Sequence, residues 1–142
     1  MNFTDTMPFL LAQIATAFKV ELEKSMDEIS LHGGQVFVLF ELWKTDGLSQ
    51  IDVAQALRVS PPTVNKMVRS LSEGGFVECR KCPGDGRLMR LFLTKKGLEI
   101  RPEVERQWAS VEQKLLANLT ETEKLVLFQL FGKVRDNLLP PR

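Results

Sequence analysis

Asp46-Gly47-Leu48-Ser49-Gln50-Ile51-Asp52-Val53-Ala54-Gln55-Ala56-Leu57-Arg58-Val59-Ser60-Pro61-Pro62-Thr63-Val64-Asn65-Lys66-Met67-Val68-Arg69 spells two short helices and the turn between them. Ser49 opens the first, with Asp52 three residues on as a weak capping box. Val53, Ala54 and Leu57 supply its apolar stripe. Ser60 caps the second helix. Pro61 takes its first position, where a missing N–H costs nothing, and Pro62 is tolerated in the same turn. Val64, Met67, Val68 and Leu71 follow the i, i+3, i+4, i+7 spacing of a buried face. At about 100° per residue the opposite face carries Pro62, Lys66, Arg69 and Glu73, flanked by Thr63, Asn65 and Ser70. Gly74-Gly75 stops the helix in a left-handed cap.

Two strand-like runs come next, Phe76 to Lys81 and Leu88 to Leu93. Pro83-Gly84-Asp85-Gly86 joins them with strong turn chemistry. Helix, turn, helix and basic hairpin, in that order, predict a winged helix-turn-helix over residues 32–97.

The flanks are helical. Phe9, Leu10, Ile14, Ala17, Phe18, Leu22, Ser25, Met26 and Ile29 recur at threes and fours, an amphipathic helix of about six turns. It ends before Gly33-Gly34, with His32 as N-cap of the next. There Val36, Phe37, Leu39, Phe40, Leu42 and Trp43 leave little polar face, as in a buried helix. Downstream, Thr94 caps a helix expected from Lys95 to about Asn118, kinked or broken at Pro102. Val104, Trp108, Val111, Leu115 and Leu119 have the spacing of a helix-pairing seam. Thr120 and Glu123 form a capping box for a last helix bearing Leu127, Leu130, Phe131, Val134 and Leu138, which stops at Pro140-Pro141. The expected fold is mainly α with a small β wing, in a single domain over residues 1–142.

That length allows a core without staples. A hydrophobic content of 44% with 26% charged residues is ordinary for a soluble domain. The net charge of +1 names no partner, but its distribution does. Between Arg58 and Lys96 nine basic residues face three acidic ones, against ten and fifteen elsewhere. A positive middle between negative flanks fits one surface that meets a polyanion. One histidine, no G-x-S-x-G, no phosphate loop and no metal-ligand cluster leave little to build a catalytic site from. No enzyme, cofactor or metal is therefore expected. Met7 to Ala17 is apolar but lacks the charged start of a signal peptide, and no run approaches the ~20 apolar residues of a membrane span. Two cysteines are too few for a disulfide scaffold, so a cytoplasmic location is expected.

With these residues in place, the chain resembles the MarR family of bacterial transcription regulators over essentially its whole length. The resemblance rests on Val59-Ser60-Pro61-Pro62-Thr63-Val64, on Leu71-x-x-Gly74-Gly75-Phe76-Val77, on Asp85-Gly86-Arg87, on Leu93-Thr94-x-x-Gly97 and on Leu119-Thr120-x-x-Glu123, in order and correctly spaced. The family's wing usually reads Asp-Arg-Arg; Gly86 replaces the middle charge here, which implies a weaker or differently placed wing contact. The resemblance implies a symmetric dimer, with residues 1–31 and 98–142 as dimerisation helices. It also implies a repressor of a nearby operon, bound to a pseudo-palindromic double-stranded operator and released by a small aromatic or phenolic effector.

Each residue then has an expected role. Ser60 and Thr63 sit at a helix N-terminus, which favours a phosphate, and Pro62 lies beside them on the exposed face. Asn65, Lys66 and Arg69 are candidates for base edges, since Lys and Arg pair with guanine and Asn with adenine. Arg87 at the wing tip suits a narrow minor groove, with Asp85 as its support. Arg90, like Arg58, Arg80 and Lys81, reads as a backbone contact or a solvated charge; Lys95 and Lys96 are not assigned. Val36, Phe40 and Trp43 are effector candidates by resemblance, although core packing is the commoner role of such residues. Cys79-x-x-Cys82 lacks the second ligand pair of a metal site. A redox regulator sensing through Cys79 or Cys82 is one alternative, with Arg80 and Lys81 placed to lower a thiol pKa. A winged helix used for protein contact is the other.

Overall fold

The computed structural model describes residues 1–82 and 84–139, and for residues 33, 82 and 85–88 the backbone alone. After a 3-10 turn at Phe3–Asp5 come α1 (Met7–Asp27), α2 (Gly33–Lys44), α3 (Gln50–Leu57) and α4 (Pro61–Glu73). The antiparallel pair β1 (Val77–Cys82) and β2 (Asp85–Leu93) follows, then α5 (Lys95–Glu99), α6 (Arg101–Leu115) and α7 (Glu121–Leu138). No helix among the described residues is long and apolar enough to cross a membrane.

Local chemistry sets most of these boundaries. Ser49 Oγ accepts from Asp52 N at 3.0 Å. Gln35 Oε1 accepts from the backbone of His32 at 2.8 Å, closing the start of α2. Thr120 and Glu123 cap α7 reciprocally, at 2.9 and 3.1 Å, and these bonds hold the Glu123 carboxyl below its ordinary pKa. The α4 cap is a full Schellman turn, in which Gly75 N bonds Ser72 O and Phe76 N bonds Leu71 O. Gly75, at φ +82°, is the left-handed residue that allows it.

Two boundaries differ from expectation. β2 starts at Asp85, three residues before Leu88, because Cys82 pairs with Asp85 and the register shifts between Lys81 and Cys82. The extra residues go into an irregularity of β2, and the turn shrinks accordingly; Pro83 lies outside the described residues. The helix after Thr94 does break beside Pro102 as expected: it divides at Ile100, and Pro102 enters the first turn of α6. That helix ends at Leu115, short of Asn118, whose φ of +68° turns the chain towards α7. The stop at Pro140-Pro141 also lies outside the described residues.

The core lies around α2. Met26, Leu31, Val36, Val38, Leu39, Leu42, Val53, Val64, Val68, Leu71 and Leu91 are at most 2% exposed. Trp108 of α6 ties in α1 and α2: its ring meets Phe40 at 4.9 Å and Phe18 and Phe37 at 6.1 Å, all edge to face. Val104 and Val111 continue that seam inward, whereas Leu115 is 53% exposed. Lys114 pairs with Glu21 across α1 and α6 at 2.9 Å, which holds the Glu21 carboxyl below its usual pKa. The arms are different. Only Leu22 and Met26 of α1 are buried, and no residue of α7 is.

Candidate nucleic-acid interface

The second helix of the helix-turn-helix, α4, presents the expected face. Val64, Val68 and Leu71 are 0, 2 and 0% exposed, while Pro62, Thr63, Asn65, Lys66 and Arg69 are all exposed. Ser60 Oγ accepts from Thr63 N at 3.4 Å, and the two hydroxyls lie 2.9 Å apart. Neither Lys66 nor Arg69 enters an ion pair among the described residues. The helix therefore offers uncompensated positive charge beside an N-terminus rich in hydroxyls.

Behind this face the helix is anchored. Gln35, only 5% exposed, donates from Nε2 to Ser70 Oγ at 2.5 Å, joining α2 to α4. Gln35 is the third residue after the His32 cap, so its capping bond was legible in the spacing; its reach to Ser70 was not. The turn between α3 and α4 depends on Arg58, left-handed at φ +55° and ψ +41°. Glycine or asparagine normally marks such a position, so the sequence carried no signal for it.

The wing cations are divided. Arg90 Nη1 donates to Gly47 O at 2.9 Å, fastening the root of the wing to the α2–α3 turn. Arg80 pairs with Glu78 at 3.0 Å and lies 4.3 Å from the centre of the Phe92 ring. Both have partners within the fold, and Lys81 is exposed. The side chains of Arg87 and Asp85 lie outside the described residues, as does that of Cys82. Cys79 is half-buried, and burial pushes its thiol up in pKa, opposed by a hydrogen bond with Gln50. The expected lowering by Arg80 and Lys81 is therefore reversed: Arg80 is engaged by Glu78 and Phe92, and desolvation penalises the thiolate.

A cavity of about 400 Å³ opens between α2 and α6, lined by Phe40, Trp43 and Trp108 with Lys44, Arg101 and Glu105 at its edges. Trp43 Nε1 donates to Gly97 O at 3.0 Å, and the Arg101 guanidinium lies 5.6 Å from the Trp43 ring. Of the three effector candidates, Phe40 and Trp43 line this cavity. Val36 does not: it is 0% exposed, one turn earlier on α2, and belongs to the core. A second cavity of about 400 Å³ lies behind the α3–α4 turn, between Phe18, Phe37, Leu57, Val59 and Met67; of these, Phe18, Phe37, Leu57 and Met67 were expected as core.

A winged helix-turn-helix with helical arms, its exposed cations on the second helix, is the architecture of a helix-turn-helix transcriptional regulator. The MarR family model matches residues 31–89. The HTH-type transcriptional regulator BilQ of Clostridium symbiosum is 33% identical over 116 residues, covering 82% of this chain and 78% of that protein. Two solved structures share the fold. A MarR protein from Peptoclostridium difficile has a TM-score of 0.87 at 22% identity, over 97% of this chain and 91% of that one. MepR of S. aureus, solved as a DNA complex, has a TM-score of 0.83 at 24% identity, over 93% and 98%. The chain belongs to the MarR family of transcriptional regulators.

Proposed function

We propose that the protein is a dimeric, sequence-specific DNA-binding repressor, working in the cytoplasm on an operator near its own gene. The observation that carries this reading is that Lys66 and Arg69 are exposed on the outer face of α4 and enter no ion pair among the described residues. In it, α4 enters the major groove; Lys66, Arg69 and Asn65 meet base edges, and Ser60, Pro62 and Thr63 lie against the backbone. Arg87, supported by Asp85, enters the minor groove. Arg90 acts from the wing root, where its bond to Gly47 makes it a support before a contact. Two copies place their α4 helices in successive major grooves, about 34–36 Å apart. MepR, solved on DNA, supports the same use of the fold.

Binding to the upstream intergenic DNA across a salt series tests this. Affinity is expected to fall by about 10³-fold or more from 50 to 200 mM salt. Lys66→Ala is expected to cost about 1–3 kcal/mol and to relax base specificity. Binding no tighter than to random DNA, together with indifference to Lys66→Glu, would instead point to a winged helix that contacts protein.

The α2–α6 cavity is proposed as the effector site, for a small aromatic molecule stacked among Phe40, Trp43 and Trp108. An effector lowers DNA affinity only by the ratio of its affinities for the free and bound states. A panel of aromatic acids and phenols titrated into the DNA complex is expected to contain releasing members, and Trp108→Ala is expected to abolish their effect. A panel with no releasing member would remove the proposal.

A further inference from the structure

The segment that leaves the wing holds the carboxyl end of α4. The Schellman turn satisfies the carbonyls of Leu71 and Ser72 but leaves those of Gly74 and Gly75. Lys96 Nζ donates to Gly74 O at 2.7 Å, and Thr94 Oγ1 donates to Gly75 O at 2.6 Å. The same ammonium lies 4.5 Å from the centre of the Phe76 ring, and Phe76 is itself only 4% exposed. A cation here meets the negative end of the helix dipole and the face of an aromatic ring together. Its neighbour Lys95 does neither: its Nζ sits 3.7 Å from Glu99 on a side chain 90% exposed.

We infer that Lys96 is a positioning residue for DNA reading: it fixes the tilt of α4 against α5 and makes no DNA contact of its own. The inference rests on the proposal that α4 is the DNA-contacting helix. Its physical basis is a lever. α4 has 13 residues, so at 1.5 Å per residue it is about 20 Å long. Lys96 grips one end, while Ser60, Thr63, Asn65 and Lys66 occupy the other half. A tilt of about 5° about the gripped end moves the far end by roughly 1.7 Å, whereas productive contacts tolerate about 0.5 Å. Position in a basic segment would class Lys96 with the phosphate contacts. The geometry instead directs its charge to Gly74 and Phe76.

The test compares the full-length wild type with Lys96→Ala, Lys96→Arg, Lys95→Ala and Lys66→Ala on the same upstream DNA across 50–200 mM salt. Each free protein is also melted thermally. Salt-dependent binding by the wild type comes first; its absence overturns the reading of α4 and this inference with it. Lys96→Ala is expected to lose about tenfold in affinity at every salt concentration, the loss of one cation from a dipole and a ring, with an unchanged logarithmic salt slope. Lys96→Arg is expected to restore the affinity and Lys95→Ala to leave it unaltered. Lys66→Ala, by contrast, should lose affinity for the upstream DNA and discriminate it less from random DNA, as a base contact does; a slope reduced by about 0.9 is instead the signature of one phosphate charge removed. A reduction of that size in Lys96→Ala would make Lys96 a phosphate contact and overturn the inference while leaving the α4 reading intact. Wild-type affinity in Lys96→Ala with only a lower melting temperature would overturn it too, as a purely structural cap.

Discussion

Gly97→Ala is expected to destabilise the protein by about 4 kcal/mol, at the upper end of single-residue effects. A Cβ at this buried position overlaps the carbonyl oxygen of Phe76 and comes within 3.2 Å of Leu93 Cδ2. The obstacle is backbone, so no rotamer change relieves it. Phe76 O already accepts from Thr94 N at 3.1 Å, Gly97 N donates to Thr94 Oγ1 at 3.1 Å, and Gly97 O accepts from Trp43 Nε1 at 3.0 Å. Moving α5 away would break bonds to α2 and to the end of α4 together. Space, not backbone conformation, demands the glycine, since Gly97 is not among the positive-φ residues. At roughly 3 °C per kcal/mol for a chain of this size, the melting temperature should fall by about 10 °C or more. Trp43→Phe, which removes that hydrogen bond, worth about 1 kcal/mol, and trims a ring that is only half-buried, should lower the midpoint by less. Thermal unfolding followed by circular dichroism measures both. An unaltered midpoint in Gly97→Ala would mean that α5 does not pack on Phe76 as described.

What was legible in the sequence was short-range. The caps at Ser49, Ser60 and Thr120 act over three residues, and the faces of α4 follow from helical periodicity alone. What was not legible depends on partners distant in the chain. Gln35 meets Ser70 across 35 residues and Arg90 meets Gly47 across 43, and no spacing rule announces either. Val36, Phe40 and Trp43 share one stripe of α2, but a helix apolar nearly all round does not say which turn borders a cavity. The position of α6 decides that, leaving Val36 in the core and the two aromatics at the rim. The early start of β2 escaped for a similar reason: a register shift is a property of two strands, and turn residues reveal only one connection. Arg58 in a left-handed turn has no sequence signature at all.

Phe128→Glu combined with Phe131→Glu is expected to convert the proposed dimer into a monomer and to remove the proposed tight operator binding. The argument begins with α7 itself. It has 18 residues, none buried, and Leu125, Phe128, Leu130, Phe131, Val134 and Leu138 are 69, 84, 50, 48, 44 and 67% exposed. Isolated helices of about 12–15 residues are marginal in water and depend on packing of an apolar face. The first half of α1 is similar, with Met7, Leu10 and Leu11 at 77, 49 and 43% exposed. Two apolar arms that the chain's own core leaves uncovered are best covered by the same arms of a second copy, because a two-fold axis matches each patch to itself. Glutamate retains good helix propensity, so the substitutions oppose association and not the helix as such. Light scattering should move from twice 16.1 kDa to 16.1 kDa. Helicity should drop as the uncovered α7 frays. Operator affinity should fall by about 10²–10⁴, the gain that bivalency confers without any new contact, although every residue of α4 is untouched. A variant that remains dimeric would place the interface elsewhere. A monomer with unchanged operator affinity would separate dimerisation from DNA reading, and a single winged helix would then carry recognition alone.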